Sequence, residues 1–174
     1  AVAHGYQYLD IPFERQHKYF DDLPPFIIYG LTLAIHTTLC YGLQVILYPK
    51  FDSKGFPKLF AKYKPNHFSA LADHLKYLAE DPLTKDMNLS FLISAGVGGD
   101  TLNAETERTV NEYLKRNGCL YEVVKGYGMT ELCATSVISF RGANAIGSVG
   151  VPLVSNTIKI VDMDTGKELG YDQI

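Results

Sequence analysis

The sequence predicts an α/β fold, with a mostly parallel sheet flanked by helices and extra antiparallel, barrel-like strands near the C-terminal end. Two observations support this prediction. Short apolar strand patterns alternate with helical patterns along the first 124 residues, as they do in proteins built on parallel sheets. Beyond that point, strand patterns at residues 135–140 and 157–161 follow each other without a helix between them, which favours antiparallel pairing.

The first elements come from residues 23–48, which include no Asp, Glu, Lys or Arg. About 20 apolar residues are enough to span a membrane as a helix, but prolines and glycines interrupt this stretch. We therefore predict a loop at residues 24–30, a buried helix at 31–41 and a buried strand at 43–48, with no transmembrane span.

The next elements are bounded by Pro, Asn and Gly residues. Residues 51–63 have apolar side chains at helical spacing, and Pro65 follows them. Asn103 is a suitable N-cap for a helix, and Gly118 stands where a left-handed C-terminal cap belongs. The other predicted elements are a short strand or loop at 67–71, a helix at 73–80, a strand at 89–94, a helix at 104–116 and a strand at 121–124.

The composition excludes several classes of protein. The 174 residues are 47% hydrophobic and 20% charged, which is typical of a globular domain rather than a disordered or coiled-coil chain. The net charge is −3 and the chain has no Lys/Arg run, so we expect no nucleic-acid partner. Three cysteines without a CxxC spacing argue against a disulfide framework or a zinc site and favour a reducing, cytoplasmic location.

Both ends of the sequence look cut. It starts at Ala1 without a signal-peptide pattern, and it stops at Ile174, directly after turn residues at 165–173. We expect residues 1–174 to be a single fragment of a longer protein.

A glycine-rich segment carries the first candidate chemistry. Residues 96–102 contain three glycines between a predicted strand and a capped helix, so the backbone can approach a ligand and the helix N-terminus can bind an anion. The spacing is neither GxGxxG nor a P-loop, which argues against a Rossmann-type dinucleotide binder. A strand-to-helix turn without a ligand is the alternative interpretation.

A second segment, Lys-Gly-Tyr-Gly-Met-Thr-Glu at residues 125–131, follows the predicted strand at 121–124. A ring between two glycines can lie flat on a planar base, a hydroxyl can bond a phosphate, and a carboxylate can bind Mg²⁺. Ligands of open α/β sheets bind beyond the carboxyl ends of strands, so we expect residues 96–102 and 125–131 to face one crevice. A hairpin loop with a surface glutamate is the alternative here.

The segments resemble, in order and spacing, the motifs of the adenylate-forming superfamily, which comprises acyl-CoA synthetases, firefly-type luciferases and peptide-synthetase adenylation domains. Residues 126–131 resemble its YGxTE core motif, and the whole resemblance covers residues 20–174. The other matching segments are residues 23–31 ("LPLFHxxGL"), 97–102 ("SGGAPL"), 147–153 with 159–162 ("GSVGxPxPxxxxKIVD") and 165–170 ("TGxxLGxGE").

The resemblance implies an ATP-dependent ligase. Members join a carboxylic acid to ATP as an acyl-adenylate, release pyrophosphate, and mostly pass the acyl group to a thiol, so the implied cofactors are ATP, Mg²⁺ and coenzyme A. Lys125 and Met129 stand where peptide-synthetase domains usually have Asn and Pro, which favours the acyl-CoA synthetases. An amino-acid-activating adenylation domain that uses a carrier-protein thiol is the alternative, because Asn156 and Thr157 are shared with that group.

The resemblance also implies which residues bind the nucleotide. Adenine would stack on the ring of Tyr127, and the glycine turn at residues 98–100 would form the opposite wall. The implied nucleotide-binding residues are Gly98, Gly99, Asp100, Gly126, Tyr127, Gly128 and Thr130.

Thr130 and Glu131 are the implied catalytic residues. Thr130 would bond a phosphate oxygen, and Glu131 would bind Mg²⁺. The acid would lie in a pocket formed by Phe26, Ile28 and Gly126.

The sequence departs from the family pattern in two ways. No "SGTTGxPK" phosphate loop precedes residue 23, and neither a "YRTGD" motif nor the C-terminal domain with its catalytic lysine follows. We therefore expect this chain, as the middle part of the large N-terminal domain, to be inactive by itself. Ile27 and Ile28 stand where many members have a His that gates the acyl pocket, which predicts an apolar wall there.

Overall fold

The computed structural model describes residues 7, 9–48 and 50–170. Their strands form a seven-stranded sheet. The strands are β1 (Lys18–Asp21), β2 (Gln44–Leu47), β3 (His67–Ala70), β4 (Ser94–Val97), β5 (Val124–Met129), β6 (Ala134–Ile138) and β7 (Val151–Pro152). The helices are α1, made of a π-helical segment (Tyr29–Thr37) and an α-helical turn (Thr38–Cys40), then α2 (Phe56–Tyr63), α3 (Ala72–Glu80) and α4 (Ala104–Arg116).

The order of the strands in the sheet is β2-β1-β3-β4-β5-β6-β7. The first five strands in this order pair in parallel, and β6 and β7 continue the sheet in antiparallel pairing. This confirms the predicted α/β fold, with a mostly parallel sheet and antiparallel strands towards the C-terminal end.

The main core lies between one face of the sheet and helices α2, α3 and α4. Phe20 of β1 and Phe68 of β3 are paired across the strands, and both rings are fully buried against Phe56 and Phe60 of α2. Full burial of such a side chain stabilises the fold by about 1.5–3 kcal/mol. Helices α3 and α4 add the side chains of Leu75, Leu78, Val110 and Leu114 to the same cluster.

Helix α1 covers the opposite face of the sheet. Successive side chains of a strand point to opposite faces, and Tyr19, the neighbour of Phe20, packs against Ala34 of α1. Leu33 of the same helix packs against Ala134 of β6. The sheet therefore separates an aromatic core from a second, thinner layer, and none of the helices formed by the described residues is long and apolar enough to cross a membrane.

Helix α4 has the two predicted caps. The side chain of Asn103 accepts a hydrogen bond from the backbone N–H of Thr106 at 2.8 Å, and Gly118 has a φ of +86°. An N-cap of this kind stabilises a helix by about 1 kcal/mol. Both features confirm the boundaries predicted for residues 104–116.

Two predicted strands begin later than the sequence indicates. The strand predicted at residues 89–94 is β4, at Ser94–Val97, because Leu89 and Leu92 are core residues of a turn. The strand predicted at 121–124 is β5, at Val124–Met129. Glycines disfavour strands, so the pattern pointed to a loop, but pairing with β4 and β6 holds the Gly-Tyr-Gly segment extended.

A third prediction, the strand at residues 157–161, is wrong for the described residues. Val161 makes only an isolated bridge to Glu168, and Ile158 and Ile160 are exposed. A segment with an alternating pattern forms a strand only where it can pair with another strand and pack its apolar side chains against a core. The described residues provide neither a partner strand nor an apolar layer at residues 157–161. The strand predicted at 43–48 is present as β2, but it is half-exposed because it lies at the edge of this sheet.

Candidate active site

Strand β5 separates two cavities. The side chains of Lys125 and Tyr127 point to one face of the strand, since they alternate with Gly126, and Gly128 follows Tyr127. An outer cleft of about 450 Å³ lies along the tyrosine side. An inner cavity of about 180 Å³ lies between the glycines of β5 and helix α1.

The outer cleft brings the two predicted adenine walls together. Tyr127, which is 46% exposed, lines it from β5, and Gly99 and Asp100 line it from the loop after β4. Residues 147–149 complete the cleft as a third wall, which the resemblance did not assign. The two segments that the resemblance implies for adenine therefore border one cleft.

Gly98 is placed differently from its predicted role. It lines the inner cavity rather than the outer cleft, because a one-residue step along an extended chain reverses the face. A Cβ at this position would come within 3.2 Å of the Gly126 carbonyl oxygen and 3.4 Å of the Tyr29 ring. Gly99 follows with a φ of +78°, a conformation that glycine adopts without strain.

Thr130 and Glu131 follow β5 in a single 3₁₀ turn, Thr130–Leu132. Thr130 lines the inner cavity, and Glu131 is exposed. Within the described part of the chain, no three His, Cys, Asp or Glu side chains are grouped to hold a metal. A single carboxylate is nevertheless suited to Mg²⁺, which commonly binds one or two carboxylates and completes its shell with phosphate oxygens and water.

The inner cavity has the apolar wall that the sequence predicts, but not all of the predicted residues. Ile28 and Gly126 line it, and Ile27 does so as well. Phe26 lies outside the cavity and is 87% exposed. The reason is a turn, in which the Ile27 N–H donates to the Pro24 carbonyl at 3.0 Å and directs the intervening side chain to solvent.

Sequence reasoning missed a buried ion pair beside the outer cleft. The Lys125 ammonium of β5 donates to the Glu107 carboxylate of α4 and to the Ala145 carbonyl at 2.8 Å. The second carboxylate oxygen of Glu107 accepts from the Gly147 N–H at 3.1 Å. The pair thus ties the strand, the helix and the third wall of the cleft together. The signal in the sequence was a lysine directly after the apolar Val124.

A second missed feature is a polar group at the inner cavity. Tyr19 and Ser69, which both line the cavity, share a short hydrogen bond.

Asp21, at the end of β1, is a third missed feature. It is buried, and its carboxylate accepts a hydrogen bond from the Leu23 N–H at 3.0 Å. Burial raises the pKa of Asp21 to about 7, against the effect of that hydrogen bond. Its signal in the sequence was a carboxylate directly after the two aromatic residues of β1.

Comparison with curated proteins finds relatives that are named as CoA ligases. The chain is 32% identical over 151 residues to the "Probable 4-coumarate--CoA ligase 1" of Dictyostelium discoideum, covering 87% of this chain and 27% of that protein. It is 30% identical over 155 residues to the "Long-chain-fatty-acid--CoA ligase" of Bacillus subtilis, covering 88% and 27%. The chain therefore spans about a quarter of the length of these relatives.

Solved structures show the same fold. Apo MatB from Rhodopseudomonas palustris superposes with a TM-score of 0.80 at 23% identity, covering 99% of this chain and 33% of that chain. The O-succinylbenzoate coenzyme A synthetase (MenE) of Bacillus subtilis, in complex with ATP and magnesium ion, gives a TM-score of 0.77 at 24% identity, covering 99% and 34%. A family model described as "AMP-binding enzyme" matches residues 1–174, and the chain therefore belongs to the AMP-binding enzymes of the adenylate-forming superfamily.

Proposed function

We propose that the protein containing this chain is an ATP-dependent ligase, which activates a carboxylic acid as an acyl-adenylate and transfers the acyl group to coenzyme A. One observation carries the proposal. The outer cleft and the inner cavity share four lining residues, Val97, Gly99, Gly126 and Gly128. A nucleotide in the cleft and an acid in the cavity would therefore meet at this junction, where the carboxylate can reach the α-phosphate.

Tyr127 supports the nucleotide half of this proposal. Its ring stacks on adenine from one side, and the backbone of Gly99 and Asp100 faces the other side of the base. Stacking of an aromatic side chain on a base contributes about 1–3 kcal/mol. Holding both reactants at one junction makes the attack effectively unimolecular, and such positioning supplies much of the rate acceleration in phosphoryl-type transfer.

Thr130 and Glu131 support the chemical half. The Thr130 hydroxyl donates a hydrogen bond to a phosphate oxygen, and the Glu131 carboxylate binds Mg²⁺. When bound, Mg²⁺ neutralises charge on the phosphates as the bond to pyrophosphate breaks. Two observations support these roles: both residues stand in the turn directly after β5, and Thr130 lines the inner cavity.

We infer that residues 1–174 are the middle part of a larger nucleotide-binding domain. Other parts of the protein then supply the phosphate loop, the ribose-binding Asp and the mobile domain with its catalytic lysine. Coenzyme A is proposed as the acceptor because the relatives named above are CoA ligases. We propose a cytoplasmic location for the protein.

ATP–pyrophosphate exchange by the full-length protein tests the function. We expect exchange with aryl or fatty acids, a loss of at least about tenfold in kcat for Glu131→Gln, and little change for Glu112→Gln, an exposed control on α4. The 174-residue chain by itself should give no exchange. Exchange with amino acids alone would favour a peptide-synthetase domain, and no exchange with any carboxylic acid would refute the proposal.

A further inference from the structure

The floor of the inner cavity is formed largely by glycines. Ser94, Gly96 and Gly98 lie on one face of β4 and the residues after it, and all three line the cavity. Gly126 and Gly128 continue this floor on the neighbouring strand. Because glycines add no side chains, two adjacent strands present bare backbone to the ligand. Such a floor suits a planar acid, such as an aryl-substituted one.

The Ser94 hydroxyl is placed at the far end of this floor from the junction with the nucleotide cleft. Ser94 and Gly98 are four positions apart, which corresponds to about 13 Å of extended chain. An acid whose carboxylate lies at the junction would therefore bring the end of its tail to Ser94.

A chain of hydrogen bonds fixes the direction of that hydroxyl. The backbone N–H of Glu14 donates to His17 Nδ1 at 3.3 Å, so this nitrogen is an acceptor. His67 Nε2 lies 3.0 Å from the same nitrogen and must carry the proton that it donates.

The same argument extends to the serine. Burial lowers the pKa of His67 to about 3, so the ring is neutral and its other nitrogen, Nδ1, is an acceptor. Ser94 Oγ lies 2.9 Å from Nδ1 and must give its single proton to that nitrogen. The oxygen then has only lone pairs to present to the cavity, and among the described residues His67 is its one side-chain partner.

We propose that Ser94, held by the His17–His67 relay, selects a planar carboxylic acid with a hydrogen-bond donor, such as a phenolic hydroxyl, at the end of its tail. The proposal rests on the proposed function, because it assumes that the inner cavity holds the acid. A ligand that ends in a hydroxyl or amino group donates to Ser94 Oγ. A ligand of the same shape that ends in a pure acceptor faces lone pairs and loses that hydrogen bond.

Matched acids test the selection in the full-length protein. The probes are 4-hydroxycinnamic, 4-methoxycinnamic and cinnamic acid, each assayed by ATP–pyrophosphate exchange. We expect kcat/KM for the hydroxy acid to exceed that for the methoxy acid by about tenfold, since a buried acceptor is left unpaired by the latter. A wild-type enzyme that shows no preference, or prefers the methoxy or the unsubstituted acid, would overturn the proposal.

Two variants test the residues. Ser94→Ala should reduce the hydroxy-to-methoxy ratio to about one while KM for ATP stays within about twofold, and His67→Phe should shift the ratio towards the methoxy acid because Ser94 regains a proton to donate. Ser136→Ala, at a buried serine of β6 outside the cavity lining, should keep the wild-type ratio. An unchanged ratio in Ser94→Ala or His67→Phe would contradict the relay.

The failure of this inference differs from the failure of the proposed function. Exchange with straight-chain acids alone would leave the ligase proposal intact and overturn the selection by Ser94. Absence of exchange with every carboxylic acid would overturn both. If a variant does not fold, the comparison of the three acids with the wild-type enzyme still decides the question.

Discussion

Replacing Lys125 by methionine tests the buried ion pair that joins β5 to α4. Lys125 is 4% exposed and Glu107 is fully buried, so the substitution leaves a carboxylate in the interior with the Gly147 N–H as its remaining partner. Removing one partner of a buried pair costs about 3–5 kcal/mol, whereas an exposed pair contributes at most about 1 kcal/mol. We therefore expect Lys125→Met to reduce the free energy of unfolding by about 3–5 kcal/mol.

Equilibrium urea denaturation measures this change, with two further variants for comparison. The double variant Lys125→Met/Glu107→Met removes both charges and should be more stable than Lys125→Met alone, because no unpaired charge stays buried. Lys115→Met removes an exposed lysine of α4 and should change the free energy by no more than about 0.5 kcal/mol. A loss below about 1 kcal/mol for Lys125→Met, or a double variant no more stable than the single one, would refute this reasoning.

The remaining predictions concern the two cavities and β1. Gly128→Ala should unfold the β5–β6 pairing, because a Cβ at this position would overlap the Ala134 carbonyl. A Cβ at Gly126 meets only ordinary contacts, so Gly126→Ala should keep the melting temperature but raise KM for the acid. Equal stability of the two variants would contradict this prediction. Tyr127→Ala should raise KM for ATP about tenfold through lost stacking, and Tyr127→Phe should not; equal KM values in steady-state kinetics would exclude a stacking role. The carboxyl of Asp21 has a folded pKa of about 7 against an ordinary value of 3.8, so the folded chain holds a proton that the unfolded chain has released. Its contribution to stability should fall between pH 4 and pH 7 by up to about 1.4 kcal/mol per pH unit, and urea denaturation of Asp21→Asn should lack this component of the slope.

The sequence predicted the fold well where local pattern and tertiary environment agree. Helix α4 has an apolar stripe, an N-cap at Asn103 and a left-handed residue at Gly118, and each of these signals is local. Strand β5 was misplaced because its glycines have no intrinsic preference for a strand, and pairing with both neighbours decides its conformation. Residues 157–161 show the reverse case. Their side chains alternate as in a strand, but no strand among the described residues pairs with them.

The candidate site was only partly predictable, for a related reason. The Gly-Tyr-Gly-Met-Thr-Glu motif is contiguous, so its nucleotide role could be inferred from the resemblance. The Lys125–Glu107 pair joins residues 18 positions apart, and the Ser94–His67 contact joins residues 27 positions apart. No spacing rule within one element brings such pairs together. Such pairs can be recognised only when the strands and helices are placed relative to one another in three dimensions.

The position of β5 between cleft and cavity limits how such an enzyme can diversify. Gly126 lines both the cleft and the cavity. In the proposed ligase, a substitution there would alter the fit of ATP and of the acid together, so the two could not be changed independently from this strand. Helix α1 and the start of β4 border the cavity without touching the cleft. A laboratory search for altered acid preference would therefore do best to randomise positions such as Leu33 and Ser94, and to leave the central strand unchanged.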